Sequence, residues 1–193
     1  MQRLLWIVLV AGCGGGDSSN VDAAGGSDGG VDSFGDSAVP LDLDLSSPML
    51  TEGGRFATAN TCNGPSNVSP QLDWTNVGSP SYAVVLTDTS NNLIHWVIYD
   101  IPGTASGLPA DVDKTFAPAD VVGAHQTASF QAATRGYLGP CPPNLHTYEF
   151  AAFALDVATL PGASMGTTRE QAKALITQHI VGIGTLTGQY EQP

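Results

Sequence analysis

Four side chains in this sequence have the types and spacing to do chemistry together. They are Asp88 at the end of SYAVVLTD, His95 in Ile94-His95-Trp96-Val97, and His146 with Tyr148 just after the turn-rich GYLGPCPPNL. An imidazole among apolar neighbours needs partners for its ring nitrogens, and it is the side chain whose charge changes near neutral pH. Asp88 is the nearest plausible carboxylate, in an antiparallel pairing with the His95 strand. On residue type alone three chemistries stay open: a His/Asp/Tyr pocket for an anion or small ligand, a two-His-one-carboxylate metal site, or core histidines with satisfied hydrogen bonds. A further string, Gly162-Ala163-Ser164-Met165-Gly166, has the form of a G-x-S-x-G nucleophile elbow. No Asp follows Ser164, and Glu170 and His179 fall on one short helix, so a loop is expected there and not a hydrolase.

Strands must position these groups. Ser81 to Thr87, Leu93 to Ile101, Tyr148 to Leu155 and Thr185 to Tyr190 are β-branched or aromatic runs bounded by Pro, Gly, Asn and Ser. One helix is expected, opened by a capping box at Thr167-Thr168-Arg169-Glu170, with Ala172, Leu175, Ile176 and His179 at helical spacing. His179 on that face reads as packed or half-exposed. Gly54 to Pro80 and Pro102 to Ala128 are long turn-rich connections, and long ordered loops tend to line sites. With 23 Gly, 13 Pro and only 12% charged residues among 193, the composition favours a turn-rich, mainly β protein of one domain.

The chain starts differently. Arg3, the apolar run Leu4 to Val10 and Ala11-Gly12-Cys13 resemble a bacterial lipoprotein signal, in which residues 1–12 are removed and Cys13 is acylated, palmitate included. Such an anchor would hold the protein in a bacterial cell envelope, at the outer membrane on the strength of Gly14 after the cysteine. Residues 13–47 then carry eight Gly and seven Asp with no Lys, Arg or Glu, a composition expected to remain a disordered tether. These aspartates lack the EF-hand spacing for calcium. The tether takes seven of the 18 acidic residues, leaving 11 against five basic ones, a net charge of −6 for the domain expected over 48–193. The whole chain, at −12, has no material for a sequence-independent hold on nucleic acid.

Five ordered blocks carry a resemblance to a known family. They are Cys62-Asn63-Gly64-Pro65-Ser66-Asn67-Val68-Ser69-Pro70, the strand ending in Asp88 followed by His95 to Pro102, Gly136 to Pro143 with His146-Thr147-Tyr148, Ala154-Leu155-Asp156, and Gly184 to Tyr190. Together they resemble the phosphatidylethanolamine-binding protein family, in its bacterial Raf kinase inhibitor-like branch. The resemblance implies an antiparallel β-sandwich with peripheral helices and an anion pocket of the phosphate or phospholipid head-group type. It places ligand-binding roles on Asp88, His95, His146 and Tyr148, with Pro140 and Pro142 shaping the rim, and Asp88 fixing the tautomer of one histidine. Two departures stand out: the family's Asp-Pro-Asp is reduced to Asp88-Thr89-Ser90, and Thr147 replaces an Arg between the His and the Tyr.

The implied function is that of a lipid-anchored binding protein and not an enzyme, with a small anionic ligand or head group as partner and no cofactor or metal. The alternative is an interaction protein that inhibits a protease or kinase, its pocket vestigial. Once Cys13 is assigned to the lipid, Cys62 and Cys141 remain in an oxidising compartment and are expected to form a disulfide. The loop closed would be about 80 residues, for which chain entropy suggests roughly 4 kcal/mol of stabilisation.

Overall fold

The computed structural model describes residues 39–131 and 133–193. The expected leader 1–12, Cys13 and the tether as far as residue 38 lie outside the described residues. The elements run in the order β1 (Leu41–Asp42), β2 (Gly54–Arg55), β3 (Leu72–Asp73), β4 (Ser81–Asp88), β5 (Leu93–Pro102), β6 (Gly107–Leu108), β7 (His125–Gln126), β8 (His146–Leu155), α1 (Arg169–Ile176) and β9 (Ile180–Tyr190). The seven-stranded sheet follows β1-β9-β8-β4-β5-β7 with β2 also on β9, and β3 pairs with β6 in a second, two-stranded sheet. The long pairings are antiparallel, while the short β1 and β2 run parallel to β9.

All eight residues of β4 are buried because both faces of the sheet are covered. On one face Tyr82, Val84 and Leu86 pack with Trp96, Ile98, Tyr148 and Phe150. On the other, Ala83 and Val85 pack with Val97, Tyr99, Phe153 and the α1 residues Ala172 and Ile176. Each large apolar side chain sealed this way contributes about 1.5–3 kcal/mol.

Two interruptions in β5 matter more than its regular pairs. Leu86 pairs with Trp96 and Thr87 with Ile94, so His95 is an extra residue with no opposite number on β4. Between Val84–Ile98 and Tyr82–Ile101 a second extra residue is accommodated, and Asp100 there adopts a left-handed φ of 57°. A bulge re-aims the side chain that it carries.

Several expectations are corrected. The tether does not extend to Ser47: Leu41 and Asp42 pair with Gly182 and Ile183, Leu43 and Leu45 are buried, and Ser46 bridges Asp73. The alternation Leu41-Asp42-Leu43-Asp44-Leu45 is a strand-like pattern inside an acidic segment, and β9 receives it because a Cβ on Gly182 would come within 2.8 Å of the Leu43 side chain. The capping box sits one residue later, with Thr168 as N-cap and Gln171 as its reciprocal partner. The helix stops at Ile176, so His179 lies in the following turn, where its Nδ1 meets Asp156 Oδ1 at 2.8 Å. β9 begins at Ile180, five residues before the run that its composition marks.

Candidate functional site

The site forms where β4, β5 and β8 end together. Asp88 is directly opposite Tyr148 across the β4–β8 ladder and opposite Leu93 across β4–β5. Tyr148 belongs to the same sheet face as Leu86, and His146, two residues earlier on β8, follows it by the strand's period of two. The bulge then turns His95 toward the same end: its ring meets Tyr148 edge-on at 5.3 Å, while the His146 ring lies 6.4 Å from Tyr148 on the β8 side. Both imidazoles, Asp88, Tyr148 and Pro142 line one open cleft of about 310 Å³.

Hydrogen bonds fix how each ring is presented. His146 Nδ1 lies 2.6 Å from Asp88 Oδ2, while Asp88 Oδ1 accepts the Ser90 N–H at 3.0 Å. His95 Nδ1 lies 2.8 Å from the Leu138 carbonyl. A carbonyl or carboxylate oxygen only accepts, so in both rings Nδ1 carries the hydrogen and Nε2 is left for a ligand. Asp88 therefore orients His146; His95, which the strand pairing pointed to as its partner, is oriented instead by the Pro-rich turn. Burial pushes the His95 imidazole below its ordinary value, against the raising effects of the Leu138 carbonyl and Asp88. Burial, reinforced by the Asp88 carboxylate, raises the Tyr148 phenol far enough that it stays protonated and remains a donor.

The rim is tied to the 60–67 turn. Cys62 and Cys141 form the expected disulfide, with Cα atoms 5.3 Å apart. Gly139 N–H donates to Asn67 Oδ1 at 2.7 Å, and the Tyr137 hydroxyl donates to the Asn60 carbonyl at 2.6 Å. Pro140 does not line the cleft: it is buried, its carbonyl accepting the Cys62 N–H at 3.0 Å, and the wall is made by Cys141, Pro142 and Pro143. Ser90 and Thr147, the two departures from the family pattern, meet each other, the Thr147 N–H donating to Ser90 Oγ at 3.0 Å.

Asn91, Leu93, Phe130, Gln131 and Cys141 also line the cleft and were not singled out from sequence as ligand contacts. Phe130 stacks edge-on against His95 at 4.7 Å, yet it comes from the Ser129–Arg135 loop, where no motif announces it. Among the described residues no group of three or more His, Cys, Asp or Glu side chains is gathered to hold a metal ion. A two-His-one-carboxylate metal site lacks its carboxylate among the described residues, because both Asp88 oxygens are already engaged, Oδ2 with His146 Nδ1 at 2.6 Å and Oδ1 with the Ser90 N–H at 3.0 Å. A larger cavity of about 470 Å³ lies beside Ser164, but no imidazole lines it and the Ser164 hydroxyl has Thr167 Oγ1 as its neighbour at 3.4 Å.

Comparison with known proteins agrees with this geometry. The family model described as phosphatidylethanolamine-binding protein matches residues 46–191. A UPF0098 protein of Methanothermobacter thermautotrophicus is 32% identical over 157 residues, covering 78% of this chain and 99% of its own. The crystal structure of Escherichia coli YbcL, described as a member of the mammalian PEBP family, matches with a TM-score of 0.69 and 24% identity over 78% of this chain and 99% of that one. CT736 of Chlamydia trachomatis, a phosphatidylethanolamine-binding protein homologue, matches with a TM-score of 0.65 and 27% identity over 79% and 99% of the two chains.

Proposed function

Because the chain belongs to the phosphatidylethanolamine-binding protein family, we propose that it is a binding protein whose Asp88–His95–His146–Tyr148 cleft takes a small anion of the phosphate or phospholipid head-group type. The observation that carries this reading is the pair of imidazoles flanking Tyr148 in one cleft, each held by its Nδ1 so that Nε2 is free. Neutral rings in this tautomer offer lone pairs, and an anion needs donors. Binding therefore engages the Tyr148 hydroxyl together with either an imidazolium or a proton that the ligand brings. The two rings differ in surroundings: His146 Nδ1 faces the Asp88 carboxylate at 2.6 Å, whereas burial favours neutral His95 as an acceptor for the ligand's own O–H or N–H. A monoprotonated phosphate or phosphomonoester has both faces, a charged oxygen for His146 and an O–H for His95.

We read the protein as a binder, a reading supported by the way the cleft's hydrogen bonds orient its donors and acceptors. The apolar run Leu4 to Val10 and the sequence Ala11-Gly12-Cys13 support a lipid anchor on Cys13 and a place in a bacterial cell envelope. Incorporation of an alkyne-labelled fatty acid, lost in Cys13→Ser, checks the anchor.

The cleft is tested by titrating O-phosphoethanolamine into the protein while following the imidazole ring-proton NMR signals. Saturable movement of the His95 and His146 signals is expected, with the His95 movement lost in His146→Ala. Signals that stay fixed at millimolar ligand would overturn the assignment and leave the interaction-protein reading in its place.

A further inference from the structure

Away from the histidine cleft, two of the domain's five basic residues line one cavity. Lys114 and Arg135, with Ala128, Ala133 and Thr134, enclose about 340 Å³, a space close in size to the histidine cleft. Arg55 meets Glu191 at 2.9 Å and Arg169 meets Glu170 at 3.1 Å, but among the described residues neither Lys114 nor Arg135 meets a carboxylate at ion-pair distance. Backbone oxygens hold these two cations instead. Lys114 Nζ donates to the carbonyls of Ser66 at 3.0 Å and Asn67 at 2.9 Å. Arg135 donates from Nη1 to Gln126 O at 2.7 Å and from Nη2 to Met165 O at 3.3 Å, with its guanidinium 5.5 Å from the Phe116 ring centre.

Carbonyls orient a cation without neutralising it. An ammonium has three N–H donors and a guanidinium five, so each head group keeps donors beyond those it uses here. Burial pushes the Lys114 ammonium below its ordinary value, with Asp111 acting in the opposite direction, as expected of a charge that has given up part of its water. In a domain of net charge −6, two rigidly held and unneutralised cations around one opening form a local positive field that the surrounding surface opposes.

We propose that the Lys114–Arg135 cavity is a second anion site, independent of the histidine cleft, that takes a doubly charged phosphate group, either free phosphate or the phosphate of a phosphomonoester. The histidine cleft has imidazoles and a phenol suited to a ligand that shares a proton; this cavity has permanent charges suited to a fully ionised one. The two sites share the loop closed by the Ala128–Arg135 bridge, which gives Phe130 and Gln131 to the cleft and Ala133, Thr134 and Arg135 to the cavity.

Isothermal titration of the full chain with inorganic phosphate at low ionic strength should show two sites. Lys114→Gln/Arg135→Gln should weaken one of them at least tenfold and leave the other, while His146→Ala should do the reverse. Thr134→Glu, which adds a negative charge at the cavity wall and truncates neither cation, should also remove the cavity site, so the loss does not depend on deleting the Lys114 or Arg135 head groups. Phosphoserine in place of phosphate separates the sources: a tighter cavity site assigns a phosphomonoester, an equal or weaker one assigns free phosphate. An isotherm for Lys114→Gln/Arg135→Gln that superimposes on the parent's overturns the proposal, as does abolition of all phosphate binding by His146→Ala alone. If the cavity variants abolish all binding and His146→Ala changes nothing, this site stands and the histidine-cleft reading falls.

Discussion

Replacing both cysteines of the rim by serine, Cys62→Ser/Cys141→Ser, separates the stability of the fold from the geometry of the cleft. The bonded residues are 79 apart in sequence, and the chain-entropy relation for a loop of that length gives about 4.5 kcal/mol at 25 °C. That is a large part of the 5–15 kcal/mol that a domain typically has, and at about 2–4 °C per kcal/mol it lowers Tm by about 9–18 °C. The native rim has other ties that do not pass through sulfur: the Cys62 N–H to the Pro140 carbonyl at 3.0 Å, the Gly139 N–H to Asn67 at 2.7 Å, and the Gln192 N–H to the Pro142 carbonyl at 3.0 Å. The double variant should therefore lose stability while its folded fraction keeps the cleft, so that O-phosphoethanolamine affinity changes less than threefold. Urea unfolding followed through the buried Trp74 and Trp96 reads the first quantity, and calorimetric titration below the new transition reads the second. The m-value should rise, since an uncrosslinked chain exposes more surface when unfolded. A loss below about 1 kcal/mol, in a parent shown by mass spectrometry to carry the bond, would refute the assignment of the stabilisation to the unfolded chain.

Two further outcomes follow from the same contacts. Burial holds His95 below its ordinary 6.5, so as pH falls through that value the unfolded chain takes the proton first. Stability then drops by at most about 1.4 kcal/mol per pH unit and levels off below the folded-state value; His95→Gln should flatten this limb in urea titrations between pH 8 and about 5, and parallel slopes for parent and variant would contradict it. In Gly139→Ala the new Cβ would collide with the Asn60 carbonyl oxygen and lie 2.8 Å from Asn67 Oδ1, so a cost of about 1–3 kcal/mol is expected, measured as a lower urea midpoint, together with weaker ligand binding as the turn moves.

Much of the fold was legible because the long strands announce themselves. The run at Ser81–Asp88 is apolar on both faces, and the structure buries both. The segments at Leu93 and Tyr148 are bounded by turn residues close to their observed ends. What stayed hidden depends on partners distant in sequence. β1 and β2 are two residues each and exist because β9 offers them an edge: β2 has no local period to mark it, and the short Leu/Asp alternation at β1 is masked by the acidic composition around it. Phe130 and Gln131 reach the cleft through a loop whose composition is unremarkable, and that Lys114 and Arg135 meet no carboxylate among the described residues is visible only in the folded structure.

The histidine site shows why residue types alone left three chemistries open. Strict alternation along β5 would put His95 on the same face as Val97, against α1 and away from Tyr148. The extra residue at the bulge reverses that, and a bulge has no signature in Leu93-Ile94-His95-Trp96-Val97. Once His95 faces Tyr148, the tautomers follow from what each Nδ1 meets: a carbonyl for one ring and a carboxylate for the other. A carboxylate can support a charged ring, whereas a neutral carbonyl in a buried setting does so less well. The two histidines are therefore not equivalent donors. One ring has its Nδ1 on a carboxylate, and the other, pushed below its ordinary value by burial, has its Nδ1 on a neutral carbonyl, so the ligand proposed for the cleft would meet two different imidazole environments, one on each side of Tyr148.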